Sequence, residues 1–211
     1  IMDKVKGNRI GADSNKYLIA LWKGLQDGRE LMMEISKELY SEARTEYNNK
    51  TTNKFDLFTI AWIGYMASAN GRFFEGGYSG ISKTKIGTSR NYINESISNI
   101  QKQVSRIQNI HFVCSSYENL DIPKNSIIYC DIPYKNSKQY SFSKDFDYDK
   151  FWNWAREKAN QGHKVFISEY NAPDDFECLW QQEVKSSLSA NGIAGGNKVS
   201  VEKLFKYKGE N

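Results

Sequence analysis

The sequence predicts an α/β fold: an open, mostly parallel sheet finished by a C-terminal antiparallel hairpin, with a mainly helical insertion. Three observations predict it. Apolar runs with strand character alternate with helical patterns near both ends of the 211-residue chain. The two last strand-like runs are joined by a Gly-rich segment, "ANGIAGGN". Residues 29–109 break the alternation with helical patterns around one long irregular stretch.

Residues 9–25, "RIGADSNKYLIALWKGL", read as a short strand, a turn and a helix. Ser14 is the expected N-cap, Leu18, Leu21, Trp22 and Leu25 form an apolar stripe at helical spacing, and Gly28 closes the helix. The insertion follows, with helical patterns in "ELMMEISKELYSEARTEY", "FDLFTIAWIGYMA" and "RNYINESISNIQKQVSRI". Between the last two, residues 68–89 are irregular, longer than a connecting loop needs to be. Then come "IHFVCSS" and "SIIYCDI" as strands, separated by the turn-forming "NLDIPKN". A helix over "FDYDKFWNWAREKANQG" is capped by Asp147 or Asp149, buries Phe151, Trp154, Ala155 and Ala159, and ends at Gly162. "KVFISEY" is a further strand, and "FECLWQQEVKSS" with "KVSVEKLFKY" makes the hairpin.

Composition sets the outer bounds. The chain is 39% hydrophobic and 26% charged, which is a globular and not a disordered mixture. A net charge of +4 permits a polyanionic partner without requiring one. Three cysteines form no CxxC pair, so buried free thiols in a reducing cytoplasm are expected. No apolar run is long enough to span a bilayer and no secretory signal is present, so a soluble, cytoplasmic protein is expected, with no membrane partner. His111 and His163 are isolated, without ligand spacing, and no metal is expected.

Ligands of open α/β sheets collect at the carboxyl ends of the strands. Asp13 and Asp131 both fall there. Asp13 either binds the hydroxyls of a ribose or caps the helix that follows it. Asp131 opens Asp-Ile-Pro-Tyr, where Pro133 fixes its own φ and pushes Ile132 into extended backbone. The result is a stiff segment with a carboxylate, a main-chain carbonyl and a ring at set distances. Two close acceptors suit an amino group with two N–H donors, and a neighbouring phenol suits a flat base. The plainer alternative is a turn with Tyr134 buried. Glu169 and Asn171 lie on the same rim as Asp131 and either line a base pocket or, the plainer reading, make a helix cap or turn contact.

"IIYCDIPY" resembles the Asp-Pro-Pro-Tyr motif of S-adenosylmethionine-dependent DNA adenine-N6 methyltransferases, and more closely that of the Dam-type D12 class of bacteria and phages. The resemblance extends over "RIGADSNKYLIALWKGLQDG", "IHFVCSSYENLDIPKNSIIYCDIPY", "FDYDKFWNWARE", "KVFISEYNAPDDF" and "KVSVEKLF", close to the whole chain. It implies a Rossmann-like methyltransferase sheet over residues 1–28 and 110–211, truncated at the N-terminus, with residues 29–109 as a target-recognition insertion. It also implies methyl transfer from S-adenosylmethionine to an adenine flipped out of double-stranded DNA, by a monomer. In that reading Asp131 and the Ile132 carbonyl accept the two amino hydrogens, Pro133 stiffens the segment, and Tyr134 stacks on the base. Asp13 holds the cofactor ribose, and Ser116, Tyr117 and Asp131 complete the cofactor side. Arg72, Lys83, Lys85 and Arg90 meet phosphates or base edges, and Tyr78 or Phe74 stacks or wedges; the alternative for all of these is a solvated surface loop.

Three positions depart from the family pattern. Ile132 stands where the family has proline, and Ser116 stands where an acid is usual. The Gly-rich cofactor turn, which sits about 20 residues before such an acid, would fall upstream of residue 1, because Asp13 has only twelve residues before it. A fragment of a longer chain, or a catalytically degenerate DNA-binding homologue, is therefore the alternative to an active enzyme. Cytosine-N4 methylation, whose motif usually carries serine at this place, is disfavoured by the acid of Asp131.

Overall fold

A computed structural model describes residues 4–83, 87–135, 144–185 and 199–209. It is a mixed α/β structure that divides into two compact units, residues 1–120 and 121–211. Among the described residues there are five α-helices.

In the first unit, β1 (Arg9–Asp13) leads into α1 (Lys16–Gln26). The cap is Asn15 and not Ser14: the Asn15 side chain accepts from the backbone N–H groups of Tyr17 and Leu18. Gly28 closes the helix as expected. Its φ of +68° lets the Arg29 N–H fold back to the Gly24 carbonyl at 2.9 Å, a left-handed ending that glycine adopts without strain. The buried face is turned from the expected one. Leu21 and Leu25 are buried with Tyr17 and Ile19, whereas Leu18 and Trp22 are half-buried. The reason is α3 (Leu57–Ala67), which packs on α1 so closely that Gly24 lies under the Phe58 ring.

The insertion therefore shares one core with α1. Helix α2 begins only at Lys37 (Lys37–Asn49), capped by Ser36, and residues 30–36 are not helical. Helix α3 is apolar almost all round and buries Phe58, Ile60, Trp62, Ile63 and Met66. Helix α4 (Tyr92–Ile107) buries Ile93, Ile97, Ile100 and Ile107 in one stripe. The stretch after α3 is ordered by Ser68, whose Oγ accepts from the Phe74 N–H at 2.9 Å and lies 3.2 Å from the Tyr40 hydroxyl. Phe73 and Phe74 plug the core there, Phe74 at a strained φ of +54°. Burial of each ring contributes about 2–3 kcal/mol, enough to hold that backbone. A hairpin follows, β2 (Ile81–Lys83) antiparallel to β3 (Ser89–Asn91). Strand β4 (Ile110–Cys114) then pairs in parallel with β1, placing Asp13 opposite Cys114. The Gln26 side chain locks this arrangement by donating to the Ile107 and Ile110 carbonyls at 2.6 and 2.8 Å.

The second unit holds one sheet in the order β5–β6–β8–β7. Strand β5 (Ile127–Asp131) and β6 (Lys164–Glu169) run parallel, joined through α5 (Tyr148–Asn160). Asp147 caps α5, and the buried face is Phe151, Trp152, Ala155 and Ala159: Trp152 takes the buried place expected of Trp154, which is half-buried. Strands β7 (Phe176–Lys185) and β8 (Val199–Tyr207) form the expected antiparallel hairpin, but its second strand docks against β6. Among the described residues parallel pairing is thus confined to β1–β4 and β5–β6, a smaller share than expected, because β8 enters the sheet antiparallel on one side to β6 and on the other to β7. His163 is structural: it is buried and its Nδ1 accepts the Ser126 N–H at 3.2 Å. Among the described residues no helix is long and apolar enough to cross a membrane, and no cluster of three metal-ligating side chains occurs.

Candidate active site

The register of the second unit assembles a polar cluster at the carboxyl end of β5. Asp131 is the last residue of the strand and pairs with Ser168 of β6. Strand β8 pairs with the other side of β6, setting Leu204 against Ser168 and Lys203 against Glu169. Glu202 is thereby carried to the same rim. The Tyr134 hydroxyl lies 2.6 Å from Ser168 Oγ and donates to Glu202 Oε2 at 2.7 Å. The Tyr134 ring is half-buried and packs edge-on against Tyr170, centroids 4.6 Å apart. It is neither entombed nor free to turn away.

The tetrapeptide is held from below and behind. Ile132 is buried, 8% exposed, so its side chain anchors the segment in place of the family's proline ring. The Pro133 carbonyl accepts from the Tyr148 hydroxyl at 2.8 Å. Glu169, only 2% exposed, clamps the next turn: one carboxylate oxygen accepts from the Lys135 N–H at 2.9 Å and the other from the Tyr170 N–H at 2.6 Å. Glu169 is thus a turn contact, as its place on the rim led us to expect. Asn171 helps line an open depression of about 260 Å³ with Tyr170, Ser200, Val201 and Lys203, a set that does not include Asp131.

Among the described residues, no hydrogen-bond donor reaches the Asp131 carboxylate. Partial desolvation and the negative charge of Glu202 both raise its pKa. Burial, with Glu202 contributing, likewise keeps the Tyr134 phenol protonated far into the basic range. The Cys130 thiol, on the other face of β5, is pushed up to about 12 by burial and is inert. What this rim offers is a carboxylate that no described donor reaches beside a neutral phenol ring, a set suited to a planar group with N–H donors.

In the first unit, parallel pairing of β1 and β4 brings Asp13 and Ser116 to one strand end. The Ser115 N–H donates to the Asp13 carbonyl at 3.1 Å. The Asp13 carboxylate accepts from the Asn15 N–H at 2.7 Å, and burial raises its pKa. Its charge and burial in turn push the Tyr65 phenol up. Ser116 opens a short 3-10 turn, residues 117–119, with Oγ facing the Glu118 N–H at 3.4 Å, and Tyr117 is half-buried beside it. A cavity of about 510 Å³ lies elsewhere in the unit, along the C-terminal turn of α1 and residues 52–58. Its Arg29 and Asp56 pair with each other at 2.7 Å, and it contains none of the candidate residues.

The basic candidates are partly assembled. Lys83 and Arg90 lie on the β2–β3 hairpin, where Arg90 pairs with Ser82. Lys83 is exposed, while Arg90 makes two 2.6 Å contacts to Glu95 and lies over the Tyr92 ring at 4.7 Å. Lys85 lies outside the described residues. Arg72 is half-buried, just past the turn at residues 69–71. The Tyr78 hydroxyl donates to the Ile35 carbonyl at 2.7 Å and its ring lies against Tyr40. Phe74 is 1% exposed, so the wedging role considered for it is excluded: an aromatic in a polar, Gly-rich stretch was read as exposed, but it fills the core.

A model of the D12 class N6 adenine-specific DNA methyltransferases matches residues 3–188, which includes both aspartate strand ends and all of residues 29–109. The chain belongs to this class of methyltransferases. No curated protein matches it. For a D12-class chain the Asp131 rim is the part whose chemistry needs explaining, and Glu202, outside the matched residues, is the member of it that sequence reading missed. The tail offered no signal for it beyond an acid in an alternating strand.

Proposed function

We propose that this chain methylates the N6 amino group of adenine in double-stranded DNA, using S-adenosylmethionine as donor and acting on a base turned out of the helix. The observation that carries this reading is the Asp131 rim: a carboxylate without a donor among the described residues, next to a phenol ring held by its hydroxyl. Family membership supplies the reaction class. The parallel pairs β1–β4 and β5–β6 and the closing hairpin support a Rossmann-like methyltransferase sheet, with residues 29–109 as the recognition insertion.

The chain's residues divide the work. The Asp131 carboxylate and the Ile132 carbonyl accept the two N–H bonds of an adenine amino group, which localises its lone pair on nitrogen. Negative charge at Asp131 also stabilises the positive charge that nitrogen develops as it is alkylated. Pro133 and the buried Ile132 side chain fix the acceptors in advance, so little reorganisation is needed. Tyr134 presents its ring for stacking on the base. For the donor, the first-unit strand end fits a ribose: Asp13 supplies acceptors for vicinal hydroxyls, and Ser116 and Tyr117 stand beside it. When bound, S-adenosylmethionine supplies an electrophilic methyl group. Arg72, Lys83, Lys85 and Arg90 are assigned to the DNA backbone, with Tyr78 supporting the segment they flank.

The test is direct. The chain is incubated with unmethylated duplex DNA and S-adenosylmethionine, and the DNA is digested to nucleosides and chromatographed. N6-methyl-2′-deoxyadenosine is the expected product; N4-methyl-2′-deoxycytidine, or no methylated nucleoside, overturns the reading. Titration calorimetry with the donor alone separates loss of cofactor binding from loss of turnover.

A further inference from the structure

We propose that Glu202 is the positioning residue for Tyr134: it ends a one-way hydrogen-bond relay that fixes the phenol ring beside Asp131. The inference rests on the methyltransferase reading above.

The direction of the relay follows from the donor inventory. An ionised carboxylate only accepts, so at 2.7 Å the Tyr134 hydroxyl spends its single proton on Glu202 Oε2. Ser168 Oγ, 2.6 Å from the same hydroxyl, must then donate to Tyr134. Both protons in the chain Ser168–Tyr134–Glu202 point one way, toward the β8 carboxylate. A ring pivots about its Cβ–Cγ bonds, and tethering the far oxygen at two points restrains that pivot. The edge-on contact with Tyr170 restrains it from the side.

Residue 202 reaches the relay only through the hairpin. It is 68 residues from Tyr134 in the chain, and the β6–β8 register puts its neighbour Lys203 opposite Glu169. Strand β8 therefore does more than close the sheet: it delivers the acceptor that the half-exposed phenol needs. Charge-assisted hydrogen bonds of this length are among the strong ones, and breaking one at a partly buried site is felt at roughly tenfold or more.

The experiment compares the full chain with Glu202→Ala and Glu202→Gln, reading two signals. Tyrosine labelled with 13C at Cζ reports the hydrogen bonding of each hydroxyl by NMR, with Tyr134→Phe assigning the resonance. Methyl transfer to duplex DNA reports function as kcat and KM. The Tyr134 Cζ resonance is expected to move in Glu202→Ala and to return near its original position in Glu202→Gln, whose amide oxygen still accepts. Methylation is expected to fall about tenfold or more in Glu202→Ala, chiefly in kcat, and to recover most of that in Glu202→Gln. Adding Tyr134→Phe to Glu202→Ala should cost little more, because both remove the same bond. An unmoved Cζ resonance, undiminished methylation in a folded Glu202→Ala, or losses that multiply in the double variant each overturn the assignment. A wild-type chain that methylates no adenine overturns the methyltransferase reading instead, and the NMR comparison distinguishes the two failures.

Discussion

The two aspartate strand ends, Asp13 and Asp131, look alike in sequence and are built differently. Asp13 turns part of its acceptor capacity inward, taking the Asn15 N–H at 2.7 Å and so shaping the entry to α1. Asp131 takes no donor among the described residues, and its surroundings supply a second negative charge, Glu202. The first is half a structural turn and half a binding group. The second keeps its carboxylate at an exposed strand end, clear of any described protein donor. An acid at a strand end says little about its use until its neighbours are known.

The sharpest way to break this contrast is to neutralise each acid. Asp131→Asn keeps one acceptor but turns the other into a donor facing an amino group, so kcat for methyl transfer should fall by about 100- to 1000-fold. Thermal unfolding should hardly change, since no described bond is lost. Asp13→Ala should do the reverse. Calorimetry should show donor affinity reduced about tenfold, and denaturant unfolding should lose about 1 kcal/mol as the turn contact to Asn15 disappears. Equal effects at the two positions would erase the distinction.

Acidity offers a finer comparison. Both carboxyls have pKa values raised in the folded state, Asp13 chiefly by burial and Asp131 by burial plus Glu202. A raised carboxyl pKa means that the folded chain binds the proton more tightly than the unfolded one. The stability this contributes is therefore present below the unfolded pKa and is lost as pH rises through the folded one. Carboxyl 13C titrations should place both groups above their ordinary value. In Glu202→Gln the Asp131 titration, and the acid limb of kcat with it, should move to lower pH, while Asp13 should not move. The smallest expected effect is in the insertion. Lys83→Ala should weaken DNA binding a few-fold and flatten its log–log salt dependence by about one unit. Arg90→Ala should do less, because Glu95 already compensates that charge.

What was legible in the sequence was local. Strand ends, the Asp147 cap, the Gly28 stop and the stiff Asp-Ile-Pro-Tyr segment each announce themselves within a few residues. Features set by distant partners were not. Ser14 and Asn15 are both good caps, and only the backbone geometry chooses Asn15. The buried face of α1 is decided by the ring of Phe58, thirty-odd residues on. Phe73 and Phe74 sit in a polar, glycine-rich run without periodicity, so nothing local marks them as core. Glu202 is the clearest case, since its role exists only because β8 slots in beside β6 and not at the outer edge.

The Glu169 clamp has one more consequence. Its two oxygens fasten the backbone at 135 to the backbone at 170, so the chain segments leaving β5 and β6 are riveted together at their roots. Whatever tugs on one transmits that displacement to the other.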